Sequence, residues 1–194
     1  MRISVKRLTG ILVLAAIGST SLAMAGGGSR ATRSTAEYAV PDVKLVRDDG
    51  KTVLLADELK EKRPVVLSFF FTSCTSICPV LNQTLARLQK GLGAEKDQVR
   101  IVSISIDPEE DTPERLAAYA RQYRSGPEWR LYTGTMQAII STAKAFGAYR
   151  GDKMSHTPLT LLRKAPGEPW IRFDGFATAE ELLQEIRSEA VASK

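Results

Sequence analysis

An open α/β fold, with a central mixed sheet, flanking helices and a β-hairpin at its N-terminal end, is predicted by three features of this sequence. Apolar runs suited to buried strands alternate with stretches whose apolar residues recur at helical spacing. Turn and helix-start chemistry stands at the junctions between them. The 194 residues are 43% hydrophobic and 25% charged, enough for one sizeable core and too balanced for a disordered or fibrous chain.

In chain order, residues 43–46 and 51–54 flank Arg47, Asp48, Asp49 and Gly50, and the Asp-Gly pair supports a tight hairpin turn. Residues 65–70 are apolar almost throughout, as a strand covered on both faces should be. Val80, Leu81, Thr84, Leu85 and Leu88 then mark a helix that ends at Gly91 and Gly93, and residues 99–106 return as a β-branched strand. Thr112 suits a helix cap and Pro113 the first helical position, ahead of an apolar face of Leu116, Tyr119, Ala120 and Tyr123. Residues 129–132 form a short strand. Met136, Ile139, Ile140, Ala143 and Phe146 stripe another helix, closed by Gly147 where a left-handed residue is wanted. Residues 159–162 and 170–173 make the last strand pair, and Thr178 with Glu181 gives a capping box to a terminal helix carrying Leu182, Leu183 and Ile186.

Arg2, Lys6 and Arg7 precede an apolar stretch over 8–17 and then Ala23-Met24-Ala25, a small-x-small site. The pattern predicts a secretory signal peptide over 1–25, or an inner-membrane anchor if it stays uncleaved. A flexible tether over 26–37 and one domain over 38–194 follow. Such a chain is exported to the bacterial periplasm, an oxidising space where a cysteine pair can persist as a disulfide. The net charge of +5 owes three cations to the first seven residues, so the basic balance implies no nucleic-acid partner. Nothing signals an oligomer, and a monomer is expected.

Soft ligands are scarce: two Cys, one His and four Met, of which Met1 and Met24 fall in the leader. Cys74 and Cys78, followed by Pro79, stand where a buried strand passes into a helix, the sheet edge at which α/β folds place their sites. Three intervening residues let the pair form a disulfide or grip one ion, and the helix start favours a thiolate at Cys78. His156 begins His156-Thr157-Pro158 directly before a strand, and a cis Thr157-Pro158 bond suits the bend there. Two thiolates and one imidazole suit Cu(I), with Cu(II) as second choice, better than zinc or an iron-sulfur cluster. Met154 could add a thioether, although a plain loop residue is the simpler reading. Residues 107–111, with Asp107, Glu109, Glu110 and Asp111, could give oxygen ligands or an acidic rim, with turn formation and helix capping as the plainer role.

At these residues the sequence resembles the Sco (SenC) family of thioredoxin-like copper proteins. The resemblance rests on the C-x₃-C-P segment over 69–81, on VSISIDPEEDTPERLAAY over 102–119 and on His156-Thr157 before a strand. It implies a thioredoxin-like fold in which Cys74, Cys78 and His156 bind copper. It also implies a metallochaperone that helps assemble the dinuclear copper site of cytochrome c oxidase, with the copper-site subunit as partner and a periplasmic copper donor or thiol reductant behind it. The alternative is a thiol-disulfide oxidoreductase using Cys74 and Cys78 as its redox pair, with Cys74 the attacker by analogy with thioredoxin-like proteins. The sequence departs from the family pattern at Thr75-Ser76, where Pro-Asp is common, at Ser155, where an Asp commonly precedes the histidine, and in the short segment over 147–156. Pro158 resembles instead the proline of thioredoxin-type reductases.

Overall fold

The structure, a computed structural model, describes residues 30–60 and 62–188. The leader expected over 1–25 lies outside them. The described residues form strands β1 (Arg30–Ala36), β2 (Lys44–Arg47), β3 (Thr52–Leu54), β4 (Val65–Phe70), β5 (Arg100–Ser105), β6 (Trp129–Gly134), β7 (Leu159–Arg163) and β8 (Trp170–Phe176). Their helices are α1 (Leu55–Leu59), α2 (Ile77–Leu92), α3 (Pro113–Gln122), α4 (Met136–Ala145) and α5 (Ala179–Arg187). The strands join in one mixed sheet ordered β1-β8-β7-β4-β5-β6-β2-β3. β5 runs parallel to both β4 and β6, and every other neighbouring pair is antiparallel.

The continuous apolar character of β4 and β5 has its cause in this layering, because side chains alternate between two covered faces. Val66, Phe70 and Ile101 pack with Leu85 and Leu88 of α2, Leu116 of α3 and Leu182 of α5. Val65, Leu67, Phe69 and Val102 pack on the other face with Leu55 and Leu59 of α1 and Ile139 and Ala143 of α4. Each of the Val, Leu, Ile and Phe side chains among these contributes about 1.5–3 kcal/mol through the apolar area it removes from water. The polar interruptions in the two strands satisfy one another. Ser68 and Ser103 hydroxyls lie 2.9 Å apart, and the Trp129 indole N–H donates to Ser103 at 2.9 Å.

The punctuation read from the sequence is present. Gly50 turns the β2–β3 hairpin at φ +81°, and Gly147 ends α4 at φ +62°. The Thr112 hydroxyl accepts the Arg115 N–H at the start of α3, and Thr178 with Glu181 closes both halves of a capping box on α5. Two expectations fail. Among the described residues no peptide bond is cis, so Thr157-Pro158 takes the ordinary trans form of an X–Pro bond. Polar, small residues predict a flexible tether over 26–37, yet Arg30–Ala36 form β1 and pair along all of β8, from Arg30 opposite Phe176 to Ala36 opposite Trp170. The N–H and C=O groups on the outer margin of β8 need partners, and the Thr and Ser residues of β1 tolerate extended backbone there.

Candidate metal centre

β4 ends at Phe70, residues 71–76 turn the chain, and α2 starts at Ile77, so Cys74 lies in the turn and Cys78 in the first helical turn. This is the carboxyl end of β4, beside that of parallel β5. The turn is braced from the loop after β5. Asp111, wholly buried, accepts the Thr72 N–H at 3.0 Å, the Thr72 hydroxyl, and the Ser105 hydroxyl at 2.6 Å. Asp107 accepts from Lys153 Nζ at 2.6 Å, which ties the β5–α3 loop to the segment carrying His156. Both carboxylates therefore act as struts. Sequence reasoning read this stretch as a turn or rim and missed that Asp111 locks the cysteine loop; its one signal was an acidic residue directly before the capping Thr112.

The helix-start argument favours a thiolate at Cys78, but the geometry makes Cys74 the more acidic of the two thiols. The Cys78 N–H donates to Cys74 Sγ at 3.4 Å, so the unpaired amides that begin α2 face the sulfur of the turn residue. Burial pushes the Cys74 thiol up, but hydrogen bonds from Cys78 and Ser76 outweigh it and hold the thiol below its ordinary value. The Cys78 side chain instead turns into the core with no exposed surface, beside Phe70, Leu85 and Tyr119. Burial, then its hydrogen bond to Cys74, pushes that thiol up to about 12. Asn82 fixes the first turn by donating from Nδ2 to the Cys78 carbonyl and the Tyr119 hydroxyl, both at 3.0 Å. We expect iodoacetamide near pH 8, about the ordinary cysteine pKa, to alkylate Cys74 of the reduced protein and spare Cys78. Peptide mass mapping reads the ratio, and equal labelling would overturn the asymmetry.

His156 leaves a single 3₁₀ turn, Lys153–Ser155, whose start is capped by the Asp152 side chain accepting the Met154 N–H at 3.0 Å. Its Nε2 lies 3.0 Å from the Phe69 carbonyl. A carbonyl only accepts, so Nε2 carries the proton and Nδ1 keeps its lone pair. Nδ1 is buried with no hydrogen-bond partner. Burial lowers the imidazole pKa; the bond to Phe69 opposes this and the charge of Arg150 adds to it, so the ring is neutral at pH 7.

Cys74 and His156, each 8% exposed, line the same cleft of about 70 Å³ with Phe71, Ser76, Lys153 and Met154. Both cysteines are free thiols. Among the described residues no three His, Cys, Asp or Glu side chains converge closely enough to hold a metal ion. The structure therefore sets the unbonded Cys74 and Cys78 side by side and His156 in the cleft of Cys74, while His156 stays docked on Phe69 and Cys78 faces the core. The donors still fit a soft ion: two free sulfurs in contact, and a neutral imidazole whose buried lone pair lacks a partner. A larger cleft of about 450 Å³, lined by Met136, Ile139, Tyr149 and Lys153, also reaches His156. Among the described residues no helix is long and apolar enough to cross a membrane.

A dithiol at the strand-to-helix turn of a mixed sheet, with a histidine beside it, defines a thioredoxin-like thiol protein with soft-metal donors. The SCO1/SenC family model matches residues 31–191, and the chain belongs to that family. It is 36% identical over 114 residues to the SCO1 protein homolog of Bacillus subtilis, a match covering 58% of each chain. The chain thus spans a little over half the length of that relative. Among solved structures it is similar to BsSco, a member of the Sco family of cytochrome c oxidase assembly proteins in which a disulfide switch has been identified. That likeness has 28% identity and a TM-score of 0.67, covering 79% of this chain and 94% of BsSco. Arabidopsis thaliana ScoI with copper bound gives 26% identity and a TM-score of 0.62, over 76% of this chain and 94% of that one.

Proposed function

We propose that this protein is an exported, periplasmic copper metallochaperone that assists assembly of the dinuclear copper site of cytochrome c oxidase. Cys74 and Cys78 hold the ion as thiolates and His156 supplies the third donor. Copper, preferentially as Cu(I), is the cargo, passed by ligand exchange to the copper-site subunit. The observation that carries the reading is the neutral, buried His156 Nδ1, left without a partner beside the cleft of Cys74. A buried polar atom in that state costs about 1–3 kcal/mol, which a ligand can recover. Family membership and the copper held by the Arabidopsis relative support the same reading.

The split between the thiols favours a second reading, a thiol-disulfide oxidoreductase acting on a partner's copper-site cysteines. Cys74 thiolate would attack the partner disulfide and release one partner thiolate, which takes a proton from solvent. Cys78, once deprotonated, would then displace the second, leaving the partner as dithiol and this chain as the Cys74–Cys78 disulfide.

One titration separates them. Reduced protein is titrated anaerobically with Cu(I) against a chromophoric chelator, beside His156→Ala. The chaperone reading expects a single retained equivalent and at least about a tenfold loss of affinity in the variant, since even changes outside the ligand set cost that much. A protein that holds no Cu(I) while its thiols cycle reversibly would be the reductase.

A further inference from the structure

Two clefts meet at His156, the smaller bordered by Cys74 and Met154 and the larger by Met136. Both methionines of the described domain therefore flank its only histidine, and both are exposed, Met154 at 74% and Met136 at 41%. A single exposed apolar side chain is ordinary and would carry no argument. Met154 differs because the turn that carries it is held at three points. Its own N–H is bound by the Asp152 side chain, the His156 N–H donates to the Lys153 carbonyl at 3.1 Å, and Lys153 Nζ is fixed on Asp107. A braced turn thus presents a thioether to solvent at the rim of the cleft that holds the candidate donors. Cys78 is wholly buried and Cys74 opens to the cleft with only 8% of its surface, so Met154 presents by far the most exposed sulfur at this site.

From these positions we propose that Met154 is a capture ligand for Cu(I), taking the ion at the rim and passing it inward to Cys74 and Cys78. This rests on the copper reading above. A thioether is soft and neutral, so it selects Cu(I) without first losing a proton, whereas each thiol must be deprotonated to bind. Copper stays Cu(I) throughout. The Met154 sulfur–copper bond breaks as the thiolate–copper bonds form, and the thiol protons leave to solvent. Met136 borders the cleft that Cys74 does not line and serves as the control.

The test is stopped-flow uptake of Cu(I), presented as its bicinchoninate complex, by the full reduced chain. Met154→Leu keeps the bulk and removes the sulfur. It is expected to slow uptake about tenfold, to change equilibrium affinity less than about threefold, and to differ in this from Met136→Leu, which behaves as wild type. In the chain carrying both Cys74→Ser and Cys78→Ser, the carbon-13 methyl resonance of Met154 is expected to shift on addition of Ag(I), a contact that a merely structural role would not produce. Uptake by Met154→Leu at the wild-type rate, or a Met154 methyl unmoved by Ag(I), overturns the proposal and leaves the two-thiolate reading standing. Wild-type protein that takes no Cu(I) sinks that reading instead, and the methyl shift then decides whether Met154 captures a soft ion by itself.

Discussion

Serine in place of either cysteine is expected to lower the Cu(I) affinity of the reduced protein by more than about a hundredfold, because partners outside a ligand set already cost up to that factor and the proposed site takes both cysteines as ligands. A hydroxyl is a hard, protonated donor and a poor match for Cu(I). The two variants should differ in stability. Cys78 is wholly buried among Phe70, Leu85 and Tyr119, so Cys78→Ser puts a hydroxyl where an apolar sulfur was, at about 1–3 kcal/mol if it finds no partner. Cys74 sits in the turn at the edge of its cleft, and Cys74→Ser should leave the melting temperature nearly unchanged. Competition with a chelator measures the affinities, and thermal scans of the metal-free variants measure the rest. Wild-type affinity in either serine variant would rule out the two-thiolate site.

Asp111→Ala should be the most damaging single change near the site that touches no sulfur. The wholly buried carboxylate accepts two hydrogen bonds from Thr72 and one from Ser105, and its removal strands those donors. Each buried donor so stranded costs about 1–3 kcal/mol, roughly 3 kcal/mol in all with Thr72 only part-buried. For a domain of this size that lowers the melting temperature by roughly 10 °C. Asp111→Asn keeps the shape and one acceptor, and should fall between alanine and wild type. A melting temperature within about 2 °C of wild type in Asp111→Ala, less than about 1 kcal/mol, would show that the loop is held by something else.

The features legible in the sequence were those fixed by neighbours along the chain. Thr112 before Pro113, Thr178 with Glu181, and Asp49-Gly50 each carry their own hydrogen-bonding or dihedral preference, and each sits in the structure at its expected boundary. The six buried residues of β4 likewise announce a strand covered on both faces. What could not be read depends on partners brought together by folding. Which cysteine is the more acidic turns on the direction of the Cys78 N–H and on the burial of its side chain, and helical position alone points to Cys78 instead. The tautomer of His156 is set by the carbonyl of Phe69, far away in sequence and ordinary core in composition. Asp111 looks like one more residue of an acidic turn until Thr72 and Ser105 are seen to converge on it.

β1 has a consequence for handling the protein. Without it, β8 would be the open margin of the sheet, with the N–H and C=O groups of alternate residues over Trp170–Phe176 facing water in a row. Such a margin recruits any strand that offers the complementary row, including the same margin of another molecule. A truncation that starts at Tyr38, the boundary suggested by composition, would therefore tend toward edge-to-edge dimers and precipitation. Arg33, paired with Glu185 of α5 at 2.6 Å, helps hold the protective strand in register.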